Sequence, residues 1–263
     1  MNFDHEQKIG VLGGGQLGRM LAIDARRMGF QVTQWTGGEL SGAGRLSDTL
    51  INSSFDDAQA LEEFVAKADV ATIEFENVPK GILETLEGKL PVHPRPEALY
   101  ICQHREREKL FLKEQGIPTA AFHVVNTAEE LQSALAEMPF DVIIKTCQFG
   151  YDGKGQMEVP LSADRTNAKD IWKPFSGGSA IIEEKVDLKA ELSVMVARTP
   201  SGEVAVYDPA ENEHKNHILH LSIVPARLPK ELLSQAQNLA IQIAEALQYV
   251  GCLLYTSPSP RDA

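Results

Sequence analysis

The sequence predicts an α/β protein in two parts. A parallel sheet wrapped by helices fills residues 1–95, and a more antiparallel α/β region follows residue 120. Three observations predict it. Short β-branched apolar runs alternate with helix-periodic stretches over the first part, as βαβ units require. Pro91, Pro94 and Pro96 break that alternation. Beyond Gly116 and Pro118, apolar runs succeed one another with fewer helices between them.

Lys8–Leu12 is an apolar run that stops in glycines, and reads as the first strand. Gln16–Met28 follows as a helix, with Leu17, Met20, Leu21 and Met28 on one face as its core side. Gly29 ends it, and Gln31–Trp35 is a second strand. Asp56–Ala66 groups Leu61, Phe64 and Val65, Val70–Phe75 is a third strand, a helix lies around Ile82–Leu86, and a short strand lies near Leu90–His93. One charged helix, within a connecting segment 96–120, is expected from Pro96 to Gln115, stopped by Gly116 and Pro118.

In the second part Phe122–Val125 is a strand, and Thr127-Ala128-Glu129-Glu130 is a capping box leading into Leu131 and Leu135. Asp141-Val142-Ile143-Ile144-Lys145 reads as a buried strand ending in a lysine, and Met157–Val159 as its hairpin return. Ala180–Glu184, Leu192–Ala197 and Val204–Tyr207 are further strands, and Lys230–Leu247 is the last strong helix. Tyr249–Leu254 starts like a core strand and then gives way to Pro258 and Pro260, so a truncated chain with a non-native end over 255–263 is expected.

Composition narrows the function. The 263 residues carry 25 basic and 37 acidic side chains, a formal charge of −12, which argues against nucleic acid as partner. Cys102, Cys147 and Cys252 are odd in number and widely spaced, which points away from disulfides or zinc and toward a reducing cytoplasm. Met1-Asn2-Phe3-Asp4-His5-Glu6 is unlike a signal peptide, and no apolar run approaches the ~20 residues that cross a bilayer, so no membrane partner is expected.

Four motifs carry chemistry. Gly150-Tyr151-Asp152-Gly153-Lys154-Gly155-Gln156 follows the strand-end Lys145; it suits either a phosphate-cradling flap or an ordinary hairpin turn. Gly13-x-Gly15-x-x-Gly18 opens a helix after a strand, but no carboxylate ends the second strand before Glu39. A tight turn without a dinucleotide is therefore preferred, with the helix N-terminus left for some anion such as a substrate phosphate. Glu74-Phe75-Glu76-Asn77-Val78-Pro79 lies at a strand end; Asn77 and Pro79 read as a helix cap and first-turn proline, leaving Glu74 and Glu76 for a ligand. Ile182-Glu183-Glu184-Lys185-Val186 with Glu191 reads as a linker or a charged strand end. His214, His217 and His220 do not share a strand face, so surface or single-ligand roles are favoured over a metal site.

Together, Gly14-Gly15-Gln16-Leu17-Gly18-Arg19-Met20, Glu74–Pro79 and Gly150–Gln156 resemble 5-(carboxyamino)imidazole ribonucleotide synthases, ATP-grasp ligases of purine biosynthesis, in order from about Lys8 to Leu254. The resemblance implies a biotin-carboxylase-like N-terminal domain, an ATP-grasp small lobe over 121–188 and the start of a large lobe over 189–254. It places Arg105, Lys145, the flap Gly150–Gln156 with Lys154, the linker residues Glu183, Glu184, Lys185 and Val186, and Glu191 and His214 around ATP. Gln16, Glu76 and Tyr151 would face aminoimidazole ribonucleotide. It further implies Mg²⁺, bicarbonate as co-substrate, and a homodimer. ATP would phosphorylate bicarbonate, and the ribonucleotide amine would take up the carboxyl group, with Lys145 and Lys154 the catalytic lysines. Thr36-Gly37-Gly38-Glu39-Leu40-Ser41 and Asn216-His217 depart from the family pattern. The family's metal carboxylates and its His-Asn-Ser-Gly-His segment fall beyond Ala263, so this chain is expected to hold no metal ligands and to be an inactive fragment. The rivals are a formate-dependent glycinamide ribonucleotide transformylase, an NAD-dependent oxidoreductase, and a nucleotide-binding fragment without chemistry.

Overall fold

The computed structural model describes residues 7–38, 45–148, 155–215 and 218–257. The chain divides into two compact units: residues 1–100 with Gln248–Gly251, and residues 101–247 with the segment from Cys252 onward.

The first unit contains β1 (Lys8–Leu12), α1 (Gln16–Arg27), β2 (Gln31–Trp35), β3 (Thr49–Ile51), α2 (Ala58–Ala66), β4 (Val70–Ile73), α3 (Lys80–Glu87) and β5 (Val92–His93), and α4 (Pro96–Cys102) starts in it. Its strands pair parallel in the order β3-β2-β1-β4-β5. Because successive side chains of a strand point to opposite faces, Val11 packs with Val32, Ala22 and Ala25 beneath α1, whereas Leu12 joins Trp35, Phe64, Leu83 and Leu86 beneath α2 and α3. Trp35 anchors that second face against Phe55 and Phe64 and donates its indole N–H to Ser53 O at 3.0 Å.

The face expected to bury α1 is the wrong one. Leu17, Met20 and Met28 are 68%, 54% and 53% exposed, while Gly18, Ala22 and Ala25 are buried. Small side chains let the helix axis approach the sheet, and a Cβ on Gly18 would already lie 3.1 Å from Gln34 Nε2. Strand β3 was not expected, being three residues long with a polar flank. Helix α3 starts after Pro79, its N-cap, with no side-chain cap; Asn77 therefore does not cap it. The fixed φ of proline does that local work.

The second unit continues with α5 (Arg105–Glu114), β6 (Phe122–Val125), α6 (Ala128–Glu137), β7 (Val142–Thr146), β8 (Gln156–Val159), α7 (Ala168–Trp172), β9 (Ala180–Glu184), β10 (Glu191–Arg198), β11 (Val204–Val206), β12 (Ala210–Lys215), β13 (Ile218–Ile223), α8 (Lys230–Ala246) and β14 (Gly251–Ser257). One antiparallel sheet runs β6-β9-β7-β8, and Val142, Ile144 and Ile182 face the core with Leu131, Leu135, Trp172 and Phe175. The capping box forms: Thr127 Oγ1 accepts from the Glu130 amide at 3.1 Å. The Glu130 carboxylate reaches back one residue further than expected, to the Asn126 N–H at 2.6 Å. The other sheet runs β11-β10-β12-β13, with β14 also pairing with β10.

The single helix expected over Pro96–Gln115 is two, α4 and α5, broken at Gln103 and His104. His104 has extended backbone angles (φ −141°, ψ 117°), and the next amide, Arg105 N–H, bonds to Cys147 O at 3.0 Å instead of continuing a helix. A contact from the end of β7 thus outweighs local helix propensity. Strand β14 carries the chain on to Ser257 and leaves Cys252 and Leu254 exposed, rather than buried as a core strand. Helix α7 and strands β12 and β13 were also missed; the β strands carry charges and histidines that hide their period.

Candidate nucleotide site

Lys145 is the penultimate residue of β7. It pairs with Ile181 of β9, so Glu183, two residues along β9, is its diagonal neighbour on the face turned away from the core. Both side chains are 5% exposed, and Lys145 Nζ lies 2.7 Å from Glu183 Oε2. Lys109, one turn into α5, reaches the other carboxylate oxygen at 2.6 Å. Burial pushes the Glu183 carboxyl up, but the Lys145 and Lys109 ammoniums together outweigh it and leave its pKa below the ordinary value. Glu183 thus gathers two ammoniums, one on each carboxylate oxygen, at the mouth of the β7–β8 hairpin.

Arg105, first residue of α5, is fixed beside that strand end: its backbone N–H bonds to Cys147 O, and Nη1 donates to Thr146 O at 3.3 Å. Gly155 enters β8 at φ +75°, and a Cβ there would lie 2.7 Å from Thr146 Oγ1, so the return of the hairpin requires glycine. Gly150, Tyr151, Asp152, Gly153 and Lys154 lie outside the described residues; Gln156 pairs with Lys145 as the first residue of β8. At the linker, the Glu184 N–H bonds to Ala121 O (2.9 Å) and the Lys185 N–H to Asp141 O (2.8 Å), while the Lys185 ammonium pairs with Glu158. A base edge arriving here would use the backbone beyond Lys185; the Val186 side chain is exposed.

Glu191 and His214 form a second cluster of the same unit. Glu191 on β10 pairs across to Asn212 on β12, whose amide donates to Glu191 Oε1 at 3.3 Å and to Ser193 Oγ, while Ser222 Oγ donates to Asn212 Oδ1 at 2.8 Å. His214 follows a register shift in β12 that sets its Nδ1 3.4 Å from Glu191 Oε1. His214 Nε2 is buried with no hydrogen-bond partner among the described residues. His217 lies outside them, and His220 sits on β13.

In the first unit, Gly13 (φ +119°) turns the chain out of β1, and the Gly15 N–H at the start of α1 donates to Glu74 Oε2 at 3.1 Å. An anion expected at this helix N-terminus thus meets a carboxylate that already holds the Gly15 amide. Gln16 and Glu76 are both exposed. Thr36, where the second strand ends, is buried and donates to Asn52 Oδ1 at 2.7 Å; Glu39 to Gly44 are outside the described residues.

The sequence reading missed Lys109 and Asn212. Lys109 lies in a charged stretch with no motif, and only the approach of α5 to β9 reveals it. For Mg²⁺, the described residues offer one grouping of three ligating side chains, His104, Glu106 and Cys147. Its sulfur and nitrogen donors do not suit a cation that demands oxygen.

Comparison with known proteins decides the family. A ribonucleotide synthetase preATP-grasp domain model matches residues 6–103, and an ATP-grasp domain model matches residues 110–254. An N5-carboxyaminoimidazole ribonucleotide synthase of Brucella melitensis is 41% identical over 245 residues, covering 93% of this chain and 67% of its own length. This chain belongs to the N5-carboxyaminoimidazole ribonucleotide synthase family of ATP-grasp proteins. A Bacillus subtilis synthase of that family is 37% identical, and the chain spans 64% of its length. The crystal structure of an ADP complex of an N5-carboxyaminoimidazole ribonucleotide synthetase superposes with a TM-score of 0.89 at 37% identity, covering 95% of this chain and 66% of that one. The synthase-family fold accounts for the parallel first sheet and for the antiparallel sheets that carry Lys145, Glu183 and Glu191. Among the described residues, no helix is long and apolar enough to cross a membrane.

Proposed function

We propose that this chain forms the nucleotide-binding part of a synthase that carboxylates 5-aminoimidazole ribonucleotide with bicarbonate and ATP. The observation that carries the reading is the Lys145–Glu183–Lys109 cluster, two ammoniums on one buried carboxylate at the base of a glycine hairpin. Lys145 meets the α- and β-phosphate oxygens. Glu183 holds its ammonium in place, and Lys109 takes the second oxygen of Glu183. Arg105 adds a second cation beside the strand end. Glu191, held by Asn212, accepts from the ribose hydroxyls, and His214 lines the nucleotide beside it. Gln16, Glu76 and Tyr151 face the ribonucleotide, and the Gly150–Gln156 segment, with Lys154, covers the phosphates.

A bicarbonate oxygen attacks the γ-phosphorus, the bond to the β–γ bridging oxygen breaks, and ADP leaves with that electron pair. The ribonucleotide's exocyclic nitrogen then attacks the carboxyl carbon, phosphate departs, and the nitrogen loses a proton. Such transfer depends on positioning and on charge neutralisation more than on covalent catalysis by the protein. The family likeness further suggests a homodimer and a cytoplasmic setting, and three cysteines without a disulfide among them suit a reducing compartment.

Calorimetry with ATP and ADP tests the reading, beside ADP release that depends on both ribonucleotide and bicarbonate. Lys145→Met is expected to weaken nucleotide binding at least tenfold, about 1.4 kcal/mol, with the fold intact by circular dichroism. Absence of nucleotide binding, or equal binding by Lys145→Met, would sink it.

A further inference from the structure

Where α5 begins and β7 ends, three side chains of different chemistry converge. His104, Glu106 and Cys147 each place one ligating atom within 4.8 Å of the others. His104 Nδ1 lies 3.9 Å from Glu106 Oε2, too far for a hydrogen bond, and is buried with no hydrogen-bond partner among the described residues. Cys147 is 2% exposed, and its sulfur is approached by the Ser179 hydroxyl and by the Glu106 backbone N–H. Glu106 is the open side, its side chain 34% exposed. We infer that His104, Glu106 and Cys147 form a binding site for a divalent cation of the zinc class.

The donor set argues for that class. One sulfur, one imidazole nitrogen and one carboxylate oxygen are borderline-soft ligands that zinc accepts, with water in a fourth position. Zinc–ligand bonds of about 2.0–2.3 Å set donor–donor edges of roughly 3.3–3.8 Å. A pair at the 4.8 Å limit needs a contraction of about 1.0–1.5 Å by that measure, and Glu106, on the open side, has room to move.

The support is already built. Cys147 is fixed through its own backbone, N–H to Ser179 O at 3.1 Å and O from Arg105 N–H at 3.0 Å. The hydroxyl and amide that reach its sulfur are the outer partners that steady a metal thiolate. The N-terminal end of α5 and the nearby Arg105 and Arg107 oppose a cation, and burial pushes the Cys147 thiol up, so the metal itself must draw off the thiol proton. Thiolate and carboxylate together balance a dication. Binding moves one proton from Cys147 to solvent and involves no oxidation. The site does not depend on the nucleotide reading, since none of its three side chains was placed on ATP.

The test uses the untagged 263-residue chain without nucleotide. Zinc is titrated against a chromophoric chelator, and cobalt is substituted for optical spectroscopy. One equivalent is expected, with a cobalt spectrum showing tetrahedral bands and a sulfur-to-cobalt charge-transfer band. His104→Ala and Cys147→Ser should each weaken zinc binding by more than the roughly 10–100-fold that loss of an outer partner costs. A Cys102→Ser/Cys252→Ser double variant should bind as the parent does. Zinc binding no stronger in the parent than in His104→Ala, binding abolished by the double variant, or a cobalt spectrum without a thiolate band would each overturn the inference. The cobalt spectrum needs only the parent chain, so a variant that fails to fold leaves the question decidable.

Discussion

Two strand-end carboxylates, one in each unit, are answered in opposite ways. Glu74, just past β4, accepts from the Gly15 N–H at the start of α1, so backbone dipoles satisfy it and the seat that an anion would take is filled from within. Glu183, within β9, is buried between two lysines, so side-chain cations and not backbone dipoles satisfy it. The difference teaches where a phosphate can go. A carboxylate at the glycine-led helix N-terminus competes with an anion for its amides, whereas two lysines gathered on one carboxylate bring cations to a strand end.

The largest expected effect breaks the second arrangement. Glu183→Gln removes the carboxylate charge that the buried Lys145 and the part-buried Lys109 share and should cost about 3–5 kcal/mol in denaturant unfolding. A loss under about 1 kcal/mol, the scale of a surface pair, would show that the cluster is effectively solvated. The same carboxylate sets a pH dependence. Its folded pKa lies below the ordinary value, so its stabilisation is complete above the unfolded carboxylate pKa and is lost as pH falls through the folded one. Melts in acid should show the wild type losing stability through and below the ordinary carboxylate range, with a shallower slope for Glu183→Gln; parallel slopes would refute the assignment.

In the first unit, Gly13→Ala should cost about 1–3 kcal/mol, because its φ of +119° disfavours a side chain and a Cβ would lie 2.7 Å from the Phe75 amide. Glu74→Gln keeps an acceptor for Gly15 but removes its charge, and should cost roughly 1 kcal/mol. If it costs as much as Glu183→Gln, the contrast between the two carboxylates fails. The smallest effect is a gain. Gln34 is fully buried, with neither amide atom hydrogen-bonded among the described residues, so Gln34→Met should raise stability by about 1 kcal/mol in the same assay.

Much of the fold was legible because local patterns report it. The Val142–Thr146 strand, its return through Gln156–Val159 and the Thr127–Glu130 cap all follow from periods and caps within a few residues. The face of α1 was misread because periodicity favours large apolar side chains, whereas the packed face is the one whose small residues permit close approach. The break at His104 was invisible because its cause, Cys147 O, lies more than forty residues away.

By itself the sequence determined the alternating strands and helices of the first unit, apart from β3, the β7–β8 pairing, the glycine turns and the motif set that marks the family, since each is written in short stretches of chain. Only tertiary structure decided that Glu183 would share two lysines, that Glu74 would hold the amide at α1, and that His104, Glu106 and Cys147 would converge. Those pairings join residues far apart in sequence. Sheet register and helix docking choose them, and no local propensity encodes either.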